Sequence, residues 1–268
     1  MLLGLVVDLN NQIVKQSKGV NGMKKMIIMM GICASLFAQQ AQTVGWNRMF
    51  KPKVGERDAF IKAVSDKTKK YNTKEGTAVI RTYEVINGPN GGSFVRSGLA
   101  GGWEQFDNPP SNWQAGIDYW QKNVMPFVEE AGGAKIWELL TEVSYNGTGE
   151  TGPAKLYKAR YYHLKPGTSM LGLARKIKEA LVATKSEARI GWYRLESGGD
   201  RSTWVVGTAH DTFESLGNDQ GWRDAYEQHH GKGTLQEFNK EFGEIVQSNP
   251  HARFAENYRY RPDMSSPE

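Results

Sequence analysis

Two rhythms of apolar residues interleave along this chain, and the interleaving occurs twice. Trp46 to Phe50, Thr77 to Ile86, Ser93 to Ala100 and Trp137 to Tyr145 read as strands, the second rich in β-branched residues. Glu56 to Tyr71 instead places Phe60, Val64 and Tyr71 on one stripe, with Lys67, Lys69 and Lys70 toward water. Asn112 to Ala131 gathers Ile117, Trp120, Val124, Phe127, Val128 and Ala131 on one side. Both stretches predict helices. Pro126 predicts a kink or split in the second, and Gly132-Gly133 its end. Asn87 to Gly92 is turn material. The predicted order is β-α-β-β-α-β.

The order then returns. Lys155 to His163 predicts a strand. Thr168 to Thr184 predicts a helix, with Leu171, Ala174, Ile177 and Leu181 three to four apart. Ala188 to Ser197 and Ser202 to Ala209 are strands flanking the turn Gly198-Gly199-Asp200. Gly221 to Gln247 is helical, broken near Gly231–Gly233, and Ala252 to Tyr260 is the last strand. The recurrence extends to residues: Ala78–Val85 returns as Ala188–Leu195, and Ser93–Ala100 as Ser202–Ala209, displaced by about 110. A repeat of this length predicts two copies of one small domain, residues 44–146 and 155–262, joined by a Gly- and Thr-rich linker at 147–154.

The expected class is α+β, two tandem ferredoxin-like βαββαβ domains. In such a unit two helices cover one face of a four-stranded antiparallel sheet, and the other face stays bare. Two linked copies hide those faces from water by packing sheet to sheet. On element order, repeat and bare faces, residues 44–262 resemble the dimeric α/β-barrel superfamily in a fused tandem form. The resemblance implies a pseudo-twofold barrel and no particular activity.

The segment before residue 44 changes what counts as the folded protein. Lys24-Lys25, the apolar run Met26 to Ala38 and the polar Gln39-Gln40 have the layout of a secretory signal peptide. The run is too short to span a bilayer as a helix. Residues 1–22 read as an over-long gene start, 23–38 as the signal, and the product as an exported bacterial protein of the periplasm or cell exterior. Cleavage there removes the sole cysteine, Cys33, and with it disulfides and thiolate chemistry. The chain has 34 basic and 29 acidic side chains; residues 1–38 hold four and one of these, which leaves 30 and 28. A balance of +2 gives no electrostatic case for nucleic acid. Tyr258-Arg259-Tyr260-Arg261 interleaves rings and cations as RNA binders do, but the strands lack the RNP1 pattern, so no nucleic-acid partner is expected.

Candidate chemistry concentrates in the second copy. The faces Tyr157/Ala159/Tyr161/His163, Ile190/Trp192/Arg194 and Phe254/Glu256/Tyr258/Tyr260 mix aromatic and polar side chains. That mixture suits a small amphipathic ligand held between the sheets, and Tyr161, His163, Trp192, Tyr193, Trp204 and Tyr258 are the expected contacts. The alternative is that the rings simply pack, with their polar tips hydrogen-bonded. All five histidines, His163, His210, His229, His230 and His251, lie in this copy. His210-Asp211 offers a base with an orienting carboxylate. Ala225 to His230 resembles the second-helix histidine segment of antibiotic-biosynthesis-type monooxygenases, whose heme-degrading branch ligates iron there. That resemblance implies His229 or His230 as axial ligand. The Asn and Trp partners of that branch find no place here, and Gly231–Gly233 break the helix at once.

His210, His229 and His230 show no HxH or HxxxH spacing for a metal, and neither a phosphate loop nor a G-x-S-x-G elbow is present. The leading expectation is therefore a small-molecule-binding protein with no cofactor. Its alternatives are a heme-binding or cofactor-free monooxygenase, and a structural or assembly subunit joined through sheet edges. Homo-oligomerisation stays open.

Overall fold

The computed structural model describes residues 42–217, 220–249 and 251–267; the expected signal segment and Cys33 lie outside them. Gln42–Glu268 forms one unit. Its strands are β1 (Thr43–Pro52), β2 (Ile80–Asn87), β3 (Phe94–Gly101), β4 (Val128–Ala131), β5 (Lys135–Leu139), β6 (Tyr145–Asn146), β7 (Leu156–His163), β8 (Arg189–Ser197), β9 (Thr203–His210) and β10 (Arg253–Tyr260). Its helices are α1 (Arg57–Tyr71), α2 (Glu104–Asp107), α3 (Trp113–Asn123), α4 (Leu171–Ala183), α5 (Phe213–Gly217), α6 (Trp222–His230) and α7 (Thr234–Ile245).

Eight strands pair antiparallel in the cycle β1-β3-β2-β10-β7-β9-β8-β5 and back to β1. The first half contributes the run β5-β1-β3-β2 and the second half β10-β7-β9-β8. The halves meet edge to edge, β2 on β10 and β5 on β8. The sheets therefore do not lie as two facing layers. They curve into one closed wall, and the bare faces become its lining. Closure leaves none of these eight strands as an open edge.

Side-chain alternation sorts the wall into a lining and a helix side. Val85, Val95, Trp137, Ala159, Leu195, Val205 and Tyr258 pack together inside. On the helix side, Phe50, Phe60, Val64, Phe94 and Val124 join α1 and α3 to the first half. Leu173, Ile177, Leu181, Ile190, Trp192, Trp204 and Phe238 join α4, α6 and α7 to the second.

The faces also select one spacing between the two halves. Tyr83 and Tyr193 both point inward, as do Val95 and Val205, each pair 110 apart. Matching Ser93 with Ser202, 109 apart, would pair inward Val95 with Trp204, which faces the helices. A slip of one residue turns a strand over, so 110 is the offset the faces allow.

Two element boundaries differ from expectation for local reasons. The helix expected to Ala131 stops at Asn123; Met125–Phe127 forms a 3₁₀ turn around Pro126, and the chain then pairs with β1 as β4. Proline has no N–H to continue the helix. The last strand of the first half divides into β5 and the two-residue β6, with Thr141–Ser144 between them. The break at Gly231–Gly233 is as expected: both glycines have positive φ, +108° and +88°, and α6 and α7 lie either side.

Beyond β10 the chain returns to the first half. Pro262–Met264 forms a 3₁₀ turn, and Met264 is completely buried among Phe60, Phe94 and Val124. Ser265 and Ser266 hydroxyls accept from the Thr82 and Ile80 amides, both at 2.9 Å. Thr82 Oγ1 and Thr68 Oγ1 donate to the Met264 carbonyl at 2.9 and 3.2 Å.

Candidate functional site

The barrel interior is occupied by its own rings. Tyr83 meets Tyr157 edge-on at 5.4 Å, Trp137 meets Tyr161 at 6.5 Å, and Phe254 stacks on Tyr161 at 4.4 Å. Their polar tips are used internally. Tyr161 and Tyr258 hydroxyls lie 2.7 Å apart, and Tyr258 donates to Glu256. The other Glu256 oxygen accepts from the Asn90 amide and side chain at 3.0 and 2.7 Å, which ties the β2–β3 turn to β10. Burial pushes the Tyr161 and Tyr193 phenols up to about 12, and raises Tyr83 and Tyr258 as well. This is packing with satisfied polar ends, the alternative the sequence held open.

The expected ligand contacts are therefore divided. Tyr161, Tyr193 and Tyr258 are in this lining. His163 ends β7 on the same side, with Nδ1 3.1 Å from Thr203 Oγ1. Trp192 and Trp204 lie on the opposite side of the wall, under the helices. Their strand positions are even-numbered where Tyr193 and Val205 are odd, and the wall separates the two sets.

Two hollows open on the helix side of the second half. One, about 340 Å³, is lined by Lys165, Thr168, Ser169, Arg194, Arg201 and Trp204, among others. Its cations are already engaged: Arg194 with Glu138 at 2.6 Å and Glu196 at 2.9 Å, Arg201 with Glu196 at 3.2 Å, and Lys165 with the Gly243 carbonyl at 3.1 Å. The other, about 140 Å³, lies between β7, β8 and β9 below and α4, α6 and α7 above. Trp192, Trp222, Phe238, Phe242, Ile177 and Ile190 give it aromatic and aliphatic walls; Arg160, Thr208 and Asn239 add polar points. Trp222 and Phe238 pack at 5.3 Å, and Phe238 and Phe242 lie nearly parallel. Phe238 and Phe242 are one turn apart on α7, which brings them to one face, and Trp222 meets them from α6.

Thr208 joins this cleft to His210. Both point to the helix side of β9, and Thr208 Oγ1 lies 2.8 Å from His210 Nε2. His210 is 2 % exposed. Burial, reinforced by the charges of Lys158 and Arg160, lowers its pKa to about 4, so the imidazole is neutral. Asp211 does not orient it; that carboxylate is 2.8 Å from Arg189. The neighbour in sequence is thus not the partner in space, because consecutive strand residues face opposite ways.

His229 and His230 end α6, their rings 4.6 Å apart. His230 Nε2 is bonded to the Lys176 carbonyl at 3.0 Å and its ring lies 4.4 Å from Tyr226. Heme, which the monooxygenase resemblance implies, does not fit this cleft. The cleft lining contains no histidine, and 140 Å³ is close to the volume that holds a single benzene ring, far below a porphyrin. Among the described residues no group of three His, Cys, Asp or Glu side chains is placed to hold a metal ion, and no helix is long and apolar enough to cross a membrane.

No protein-family model matches this chain, and no curated protein resembles it in sequence. Solved structures do resemble it in fold. One, assigned as a monooxygenase, is from Fusobacterium nucleatum subsp. nucleatum (13% identity, TM-score 0.51, covering 83% of this chain and 94% of that one). Another is an anthrone oxidase-like protein (12% identity, TM-score 0.50, covering 85% and 95%). A chlorite dismutase from Candidatus Nitrospira defluvii aligns at 10% identity and TM-score 0.48, over 86% and 96%. The first two share the dimeric α/β-barrel fold with this chain.

Proposed function

We propose that the protein binds a single-ring aromatic compound carrying a polar substituent, in the cleft between the second half's strands and α4, α6 and α7. The observation that carries this reading is the cleft itself: about 140 Å³, walled by Trp192, Trp222, Phe238 and Phe242, with Thr208, Arg160 and Asn239 as polar points. An apolar hollow with few placed polar groups is the usual form of a small-molecule site. Its size admits one ring. Phenol is the test ligand. Isothermal titration is expected to show one site per chain with Kd on the order of 0.1–1 mM, in keeping with so small a ligand. Val206→Trp, which fills the cleft, abolishes it. Binding that survives Val206→Trp refutes this location.

A second reading is a cofactor-free oxygenase acting on the same class of compound. The fold shared with proteins assigned as a monooxygenase and as anthrone oxidase-like favours it. Oxygen consumption by the purified chain with hydroquinone, lost in Val206→Trp, is its expected signature; no consumption above the protein-free rate rejects it.

Two further readings belong here. The identical strand runs β5-β1-β3-β2 and β10-β7-β9-β8 support a tandem pair of ferredoxin-like modules. The Lys24-Lys25 and Met26–Ala38 pattern supports export; mass spectrometry of the protein made in a bacterial host would show the cleaved start.

A further inference from the structure

We infer that the Thr208–His210 pair makes the cleft selective for a ligand that donates a hydrogen bond at its floor, such as the O–H of a phenol or the N–H of an aniline. The inference rests on the single-ring aromatic reading of that cleft.

Thr208 is 3 % exposed and lines the cleft floor. Its hydroxyl has one proton to give. Two acceptors compete for it: His210 Nε2 at 2.8 Å and the Lys158 carbonyl at 3.4 Å. The shorter contact is a hydrogen bond of normal length, and the longer is stretched well beyond one. The neutral imidazole is what keeps that acceptor available. His210 is buried, faces the charges of Lys158, Arg160 and Arg189, and lacks Asp211, which Arg189 holds. The His210 proton is assigned to Nδ1, an atom that is buried and has no hydrogen-bond partner in the structure; a proton on Nε2 would reverse the pair, with Thr208 accepting.

With its own proton committed to His210, Thr208 offers the cleft only lone pairs. A ligand O–H or N–H meets an acceptor there. An ether or carbonyl oxygen meets lone pairs instead, and a methyl group leaves the hydroxyl without its second partner. Thr208 is the specificity residue; His210 is a positioning residue that sets the direction of its proton.

Phenol, toluene and anisole separate the cases, because toluene replaces the hydroxyl by a methyl group and anisole keeps the oxygen but has no donor. Isothermal titration of the full chain is expected to give phenol about fivefold tighter than toluene or anisole. A cleft without an acceptor gives the reverse order, since phenol surrenders a water bond on entry. Thr208→Val is expected to invert the phenol/toluene order, and Thr208→Ser to keep it, which separates the hydroxyl from mere packing. His210→Phe frees the Thr208 proton to turn into the cleft, so anisole gains about threefold on phenol. Toluene binding as tightly as phenol in the unaltered protein, or an order unchanged by Thr208→Val, overturns the inference while leaving the ligand site standing. Binding of none of the three overturns the ligand site and this inference together.

Discussion

The two halves of the barrel offer the same place under their helices; in the second a cleft opens there, and in the first an indole covers it. In the first half, Gly98 on β3 occupies the position that Thr208 holds on β9. A Cβ at Gly98 would run into the Trp46 indole, so the Trp46 ring covers that point, itself edge-on to Trp113 at 6.3 Å. Met264 from the tail fills the space beside Phe60 and Phe94. In the second half, Leu140–Asn146 runs along β8 as the tail runs along β2, with Val143 buried in the place of Met264, but Lys158 rather than an indole is the register partner of Thr208, and the cleft stays open. The fold supplies a potential site twice; what fills it decides which half can take a ligand.

Removing Met264 is the strongest test of how the first half is packed. Met264→Ala is expected to cost about 3 kcal/mol in urea unfolding, as for a wholly buried methionine. Ending the chain after Arg261 costs more, because it also frees the Thr82 and Ile80 amides from Ser265 and Ser266. An unchanged unfolding midpoint in Met264→Ala would show that the tail is not part of the core.

A smaller effect separates the halves by pH. His210 has its pKa lowered by burial to about 4 against an ordinary 6.5. Between those values the unfolded chain takes up a proton that the native chain refuses. This contribution to stability is complete above about pH 6.5 and drains away as the pH falls, by roughly 2 kcal/mol at about pH 5. His210→Phe should flatten that part of the stability curve. An equal slope in both proteins would place the acid sensitivity elsewhere.

The smallest effect probes the filled half. Arg96 is 4 % exposed, donates to Thr68 Oγ1 at 3.1 Å and lies over Trp120 at 5.0 Å, while its Nη1 has no hydrogen-bond partner. Burial lowers its pKa to about 9. A buried cation with no carboxylate is a cost to folding. Arg96→Met is expected to stabilise the protein by about 1 kcal/mol in the same unfolding measurement. A loss of more than 1 kcal/mol would mean that the guanidinium holds the first half together.

Most of the framework was legible in the sequence. The interleaved periods placed the strands of the barrel, though the one expected from Trp137 to Tyr145 ends at Leu139, and Pro126 marked the point where a helix gives way. The short elements α2, α5 and β4 were not legible, because pieces of four or five residues are fixed by neighbours rather than by their own periodicity. The site was less legible. Tyr161, Tyr193 and Tyr258 were expected beside Trp192 and Trp204; chemistry grouped them, while strand parity divides them. Trp222, Phe238 and Phe242 carried a usable signal, aromatics at helical spacing next to a glycine break. Thr208 carried none.

Residue order alone determined the alternation of strands and helices, the doubling of that pattern, and which positions on each strand share a face. These follow from local geometry, with periods of 2 and 3.6 written directly into the chain. Only the tertiary structure decided that the sheets join by their edges, that the tail returns to fill the first half, and that His210 turns to Thr208 instead of Asp211. Each of those depends on groups far apart in sequence competing for the same space, and which of them wins is settled by packing.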